Sequence, residues 1–239
     1  DRALRRNPAF APAHANRSAA LALRAELAAE AGADVDPDDP AIEAQARAAQ
    51  LDPSNPVLQR NLGVLLMRAR RRKEAAGALN LALSLDPSSV ETCLNLAFCL
   101  RALGDYQLAG AVYEKWLGLN PPNAVVMRSL AAVRTRDGQV DEARRWAERA
   151  AEIDLDAHAL AQLGSTLMQS RRLEESLDHC RRAIELSGGL LSLYPTWLLG
   201  LNYLHEDPQP IFEAHAEFGR RLPKSTEPRP RWQQRASIH

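Results

Sequence analysis

The sequence lacks most features that announce a chemistry. Its 239 residues contain no run of roughly eighteen or more apolar residues, so no membrane-spanning helix is expected. Charge of either sign is in no excess, with 30 Lys plus Arg against 30 Asp plus Glu. A general nucleic-acid binder normally carries a basic surplus, so that class is disfavoured. Cysteine is scarce: Cys93, Cys99 and Cys180 form neither a disulfide framework nor a CxxC pair, which fits a reducing cytoplasm. His14, His158, His179, His205 and His215 show no ligand spacing, and no HExxH, GxSxG or phosphate-cradling glycine loop occurs. No metal and no cofactor are expected within this stretch. The chain opens "DRALRRNP" without an initiator Met, so the true N-terminus is expected upstream and a targeting segment stays open.

What is present is helix-forming and periodic. Ala, Leu and Arg dominate and β-branched residues are few, which favours helix nearly everywhere. "LDPSN", "LDPSS" and "LNPPN" place Pro53, Pro87 and Pro121, and both gaps are 34 residues. That period belongs to a helix–turn–helix repeat, the tetratricopeptide repeat. The signature positions agree in register. They hold Leu62, Gly63, Leu66, Ala75, Leu79, Ala82 and Pro87 in one copy and Leu96, Ala97, Leu100, Ala109, Tyr113, Trp116 and Pro121 in the next. Leu130, Ala131, Ala143, Ala147 and Ala150 follow. A further copy carries Leu163, Gly164, Leu167, Ser176, Cys180 and Ala183, with its Gly164 one residue early because the turn near Asp154 is shortened. Gly104 and Gly138 fall where a first helix must stop in a left-handed residue. Each unit cannot bury its apolar face alone; stacking does that. The chain therefore resembles a tetratricopeptide-repeat protein over residues 1–188, which implies an all-α, right-handed α-solenoid closed by a non-repeat C-terminal helix.

The expected domains are repeats over 1–188, the first incomplete, then degenerate terminal junction helices over 189–222 and a Pro/Arg linker over 223–239. Pro8 is expected to end a truncated helix. From Pro8 to Pro53 is 45 residues, 11 more than one repeat. The excess is assigned to "AAEAGADVDPDDP", an insertion at about 30–40 punctuated by Gly, Asp and Pro, read as an acidic surface loop.

First helices of such repeats line a concave face, and the residue just before the Leu-Gly pair points into it. That position holds Asn16, Asn61, Asn95, Ser129, Gln162 and Thr196, all uncharged and polar. Asn and Gln can donate to a peptide C=O while accepting from its N–H. With first helices about 10 Å apart and an extended chain rising about 3.3 Å per residue, one rung meets about every third residue. At roughly 0.5–1.5 kcal/mol net per hydrogen bond, less the ordering cost, affinity is modest and indifferent to peptide sequence. A polar half-exposed position with no ligand is the competing reading. "RARRRKE" at Arg68 to Glu74 reads as a solvated basic turn, and Trp116 and Trp146 as packing. A charged clamp for chaperone C-termini is disfavoured, because Val125 and Ser129 occupy its later positions.

The end of the chain leaves the pattern. "YPTWLLGLNYL" takes the place of a first helix with Pro195 in its first turn, and Asp207-Pro208 starts another helix. In "IFEAHAEFGRRL", Ile211, His215, Phe218 and Leu222 are expected on one apolar face. Leu198, Leu199, Asn202, Tyr203, Asp207, Pro208, Ile211, Phe212, His215 and Phe218 together resemble the junction between repeats and catalytic region in bacterial relatives of protein O-linked N-acetylglucosamine transferase and SPINDLY-type glycosyltransferases. Thr196 stands where that junction opens with Asn, and Ala216 where a basic residue is common.

The resemblance implies a nucleotide-sugar-dependent protein O-glycosyltransferase whose catalytic residues lie beyond His239, this segment being non-catalytic. It implies an acceptor polypeptide in the groove, with Asn16, Asn61 and Asn95 as the matching rungs. It further implies a C-terminal glycosyltransferase domain docking on Ile211, Phe212 and Phe218. The repeats alone support a free-standing adaptor that assembles other proteins, and leave room for pairing between chains as a homo-oligomer. Fold-level analogy adds a regulator of bacterial secretion or envelope assembly.

Overall fold

The computed structural model describes residues 7, 9–30, 40–204 and 207–221, with backbone alone over 24–30. Among the described residues there are α-helices, one short 3-10 turn and no strand. The helices are α1 (Ala11–Glu30), α2 (Pro40–Leu51), α3 (Pro56–Arg68), α4 (Arg72–Leu85), α5 (Val90–Leu103), α6 (Tyr106–Leu119), α7 (Ala124–Arg136) and α8 (Val140–Ile153). They continue with α9 (Ala157–Gln169), α10 (Leu173–Leu186), α11 (Tyr194–Leu204) and α12 (Pro208–Arg221). The chain divides into two compact units, Asp1–Leu155 with α1–α8 and Asp156–His239 with α9–α12.

Four first helices, α3, α5, α7 and α9, begin on a side-chain cap. Asn55 accepts from the Val57 and Leu58 amides, Ser89 from Thr92, Asn123 from Val126 and Asp156 from Ala159. These are amides that the first turn of a helix leaves without an intrahelical partner. These four helices then end the same way. Arg71, Asp105, Gln139 and Arg172 donate their amides back to Leu66, Leu100, Arg134 and Leu167 at 2.8–3.0 Å. The residue before each donor is left-handed, as that closure requires. Gly104 and Gly138 supply it at φ 89° and 81°; Arg70 and Arg171 supply it at φ 60°. The two arginines take a conformation that glycine adopts without steric penalty.

Within the first unit, α3 packs on α4, α5 on α6 and α7 on α8, while α4 meets α5 and α6 meets α7. The close approaches fall on small residues: Ala75, Ala82, Ala97, Ala109, Ala131, Ala143, Ala147 and Ala150 are all fully buried. Larger side chains fill the space between layers, with Cys93, Tyr113, Trp116, Val126, Leu130 and Val133 in one cluster and Leu66, Leu79, Leu96 and Cys99 in another. Trp146 packs half-buried on the first of these, with the Arg149 guanidinium 4.6 Å over its ring.

Two features depart from the sequence expectation. The insertion is not all loop: α1 has 20 residues where α3 has 13, so helix continues into the expected acidic stretch as far as Glu30. Residues 31–39, where the rest of that loop was expected, lie outside the described residues, as do Pro8, His205, Leu222 and the linker over 223–239. The second departure is a buried arginine. Arg134 on α7 pairs with Glu114 on α6, faces Glu142 on α8 at 3.5 Å and lies 3.9 Å from Asp137. Gly110 makes room for it, since a Cβ there would fall 2.8 Å from its Nη1.

In the second unit α9 pairs with α10, α10 with α11, and α11 with α12. Tyr194, fully buried, lies at the centre. It donates to Glu217 Oε1 at 2.9 Å and packs its ring on Phe218 at 5.2 Å and edge-to-face on Trp197 at 5.9 Å. Pro195 sits in the first turn of α11, and Asp207 caps α12 through the Gln209 amide at 2.9 Å.

Candidate functional site: the first-helix face

In the first unit α5 lies beside both α3 and α7, so three first helices present one surface. Stripes at i, i+4, i+7 and i+11 share a helix face. They read Val57, Asn61, Val64 and Arg68 on α3; Glu91, Asn95, Phe98 and Ala102 on α5; and Val125, Ser129, Ala132 and Arg136 on α7. Contact across helices fixes the register: Arg60 Nη1 on α3 meets Glu91 Oε2 on α5 at 2.9 Å.

The structure separates the rungs of the expected ladder. Asn61 is exposed and Asn95 half-buried on adjoining helices, and among the described residues their amides make no hydrogen bond. Asn16 is exposed on α1, whose Ala11 and Ala15 pack with Leu58 and Leu62 of α3. The Ser129 hydroxyl donates to Val125 O of its own helix at 2.8 Å, so its proton is already engaged. In the second unit Gln162 and Thr196 stand half-buried on the adjoining helices α9 and α11. Gln162 folds back onto its own helix, with its amide 3.4 Å from Thr166 Oγ1.

The terminal apolar trio is likewise split. Ile211 and Phe218 turn inward onto the cluster of Tyr194, Leu198, Leu201 and Ala214. Both are half-buried there. Phe212 alone of the three is exposed, at 68%. The buried face runs Ile211, Ala214, Phe218, at i, i+3 and i+7; His215 points outward. With Leu199 and Tyr203 of α11, Phe212 forms the exposed apolar side chains of this helix pair, and a cavity of about 560 Å³ lies between Trp197, Leu201, Phe212 and Ala216.

The sequence reading passed over other residues on the first-unit face. Phe98 is 57% exposed between Asn95 and Ala102. Arg60, Arg101 and Arg128 flank the stripes, and the Nε atoms of Arg60 and Arg101 are shielded from solvent without a hydrogen-bond partner. Three helices converge at Tyr113: burial raises its phenol above the usual range, while the Ser129 hydroxyl and Arg101 guanidinium pull it back. The sequence offered little signal for them: Arg60 and Arg128 share one repeat position, but Phe98 and Arg101 have Val64 and Met67 one period before them and Ala132 and Thr135 one period after.

The three thiols are held in their protonated form. Burial pushes Cys93 up to about 12 and Cys180 up to about 11, and raises Cys99. A thiol so held is protonated and unreactive. Among the described residues no cluster of His, Cys, Asp and Glu could hold a metal ion, and no helix is long and apolar enough to cross a membrane.

The all-α repeats, with their 34-residue register, resemble tetratricopeptide repeats. Residues 90–123 and 157–191 each match the tetratricopeptide repeat family. Among curated proteins none matches the chain. Solved tetratricopeptide proteins share its fold. YrrB, described as a TPR protein with an unusual peptide-binding site, is 20% identical with a TM-score of 0.58, covering 75% of this chain and 94% of its own. MamA of Desulfovibrio magneticus RS-1 is 22% identical at TM-score 0.61, covering 69% and 93%. PilW, a type IV pilus biogenesis factor, is 18% identical at 0.66, covering 78% and 86%.

Proposed function

We propose that this chain is a polypeptide-holding scaffold, in which the first-helix face of α3, α5 and α7 receives an extended segment of another protein. The observation that carries the reading is the pair Asn61 and Asn95. They are identical amides at one register on adjoining helices, with no internal hydrogen bond to compete. A peptide-binding site on the structurally similar YrrB supports it. An adaptor that brings proteins together needs no more than this surface, and the three buried thiols suit a reducing, cytoplasmic setting. The test is the double variant Asn61→Ala/Asn95→Ala against a panel of extended peptides. Affinity should fall about tenfold, the worth of about two hydrogen bonds; unchanged affinity across the panel would exclude the backbone-reading role.

A second reading gives the held polypeptide a fate. On the junction resemblance, the segment presents an acceptor to a nucleotide-sugar-dependent O-glycosyltransferase domain following in the parent chain. The exposed Leu199, Tyr203 and Phe212 favour it, because they leave an apolar surface on the last helix pair. It requires a nucleotide-sugar-binding α/β domain encoded downstream of His239; a reading frame without one leaves the adaptor.

A further inference from the structure

We propose that the cavity between α4 and α6 is a binding site for a small aromatic carboxylate, its ring seated over Val112 against Trp116 and its carboxylate facing Lys115 and Asn80. The site lies on second helices, apart from the α3–α5–α7 face, and goes beyond the polypeptide-holding reading.

The cavity has a volume of about 320 Å³, at the lower end of the range for small-molecule sites, about 300–1,000 Å³. Its walls and its mouth differ in kind. Leu96 and Trp116 line it from buried positions, and Leu83 and Val112 from half-buried ones. Leu119, 65% exposed, carries the apolar wall out to solvent. Asn80 and Ser84 on α4 and Lys115 on α6 are also exposed. The Ser84 hydroxyl already donates to Leu81 O at 2.7 Å. Lys115 makes no ion pair, and the Asn80 amide no hydrogen bond, among the described residues. Both are open to an incoming group. No carboxylate lines the cavity, so its one charge is an unanswered cation. Small-molecule sites have this make-up: apolar walls and a few polar groups that fix orientation.

The next copy of the repeat shows which body fits. At a spacing of 34 residues, Val112 becomes Trp146, Lys115 becomes Arg149 and Leu96 becomes Leu130. Trp146 packs half-buried on the cluster that holds Trp116 and Leu130, and the Arg149 guanidinium stands 4.6 Å over its ring. An aromatic ring topped by a cation therefore fills that copy. Val112 is too small to fill the corresponding space, and the cavity is what remains. A ligand ring there takes the part of Trp146, with Lys115 in the part of Arg149. A neutral aromatic molecule uses the walls alone. A carboxylate carried on the ring also answers the Lys115 charge and accepts from the Asn80 amide.

The experiment titrates the full chain with indolepropionate and, separately, with indolepropionamide, following the Trp116 indole and the Asn80 side-chain amide by NMR. Both compounds should shift both resonances and leave Asn61 and Asn95 unmoved. The acid should bind about threefold tighter than the amide at low salt, as one exposed ion pair allows, and lose that margin at high salt. Lys115→Gln should abolish the margin while the amide binds as before, a pattern that misfolding cannot imitate. Val112→Trp, which copies the filled arrangement around Trp146, should abolish binding of both compounds. Failure of either compound to shift Trp116 and Asn80 overturns the site. Equal binding of acid and amide at low salt overturns the carboxylate class. Shifts at Asn61 and Asn95 in place of Asn80 overturn the location. The polypeptide-holding reading is tested separately, by the peptide panel, and survives each of these failures.

Discussion

Gly164 on α9 lies so close to Cys180 on α10 that a Cβ would fall 2.5 Å from the Cys180 Sγ and 3.1 Å from the Ser176 carbonyl oxygen. Ser176 ties the same place, donating to Gly164 O at 2.7 Å. Glycine is here a packing requirement. Gly77 on α4 is the opposite case, with nothing within 4 Å of its absent Cβ. Gly164→Ala should cost about 1–2 kcal/mol, overpacking outweighing the gain in helix propensity. Gly77→Ala should stabilise by about 0.5–1 kcal/mol. Urea denaturation of the two variants checks both signs.

The four first-helix stops give a second prediction. Arg70 and Arg171 hold φ 60° where Gly104 and Gly138 stand in the other copies. A left-handed L-residue costs roughly 1–2 kcal/mol, partly offset by the greater entropy glycine loses on folding. Arg70→Gly and Arg171→Gly should each raise Tm by about 2 °C, near the shift expected for under 1 kcal/mol in a chain of this size. Gly104→Ala should lower it.

Arg134 should be the most sensitive charged residue of the first unit. Arg134→Ala leaves Glu114 and Glu142 facing a void beside Gly110, and should cost about 2–3 kcal/mol, below the full penalty of a broken buried pair because both carboxylates are partly solvated. Arg144→Ala, which removes the more exposed pair with Glu148, should cost under about 1 kcal/mol. Chemical denaturation of the two variants makes the comparison.

The buried thiols set an alkaline limit. Cys93 is pushed up to about 12 and Cys180 up to about 11 from an ordinary 9.0. Between those values the native chain keeps protons that the unfolded chain releases, so stability falls as pH rises. The loss should begin near pH 9 and continue through pH 11 to 12. A Cys93→Ala/Cys180→Ala variant should show a flatter urea midpoint from pH 8.5 to 10.5, and the native thiols should react with Ellman's reagent only as the chain unfolds.

Much of this architecture was legible because the repeat writes the same physical demand at a fixed interval. Leu79, Tyr113 and Cys180 occupy one position and are all buried. Prolines marked the helix ends, and two residues beyond Pro53, Pro87 and Pro121 stand the caps Asn55, Ser89 and Asn123. The left-handed stops were read from Gly104 and Gly138; Arg70 and Arg171 escaped because nothing in an arginine announces that conformation. At the C-terminus the apolar period of α12 was correct in kind but misplaced by a residue. Ala214, small enough to admit Tyr194 and Phe218, takes the buried place expected for His215. The face itself was half visible. A ladder of amides follows from one register, whereas the fold alone tells which rungs are free of internal hydrogen bonds, as Asn61 and Asn95 are and Ser129 is not.

The central claim is that a polypeptide lies across α3, α5 and α7. Its most direct test is the side-chain amide resonances of Asn61 and Asn95 during titration with an extended peptide of the panel. The account expects both to shift together, while Asn80 on α4 stays fixed. Asn80 borders a cavity of about 320 Å³ beside Trp116 and Lys115, on the second helices. Shifts confined to Asn80 and the Trp116 indole, with Asn61 and Asn95 unmoved, would place the ligand on the wrong helices and contradict the account.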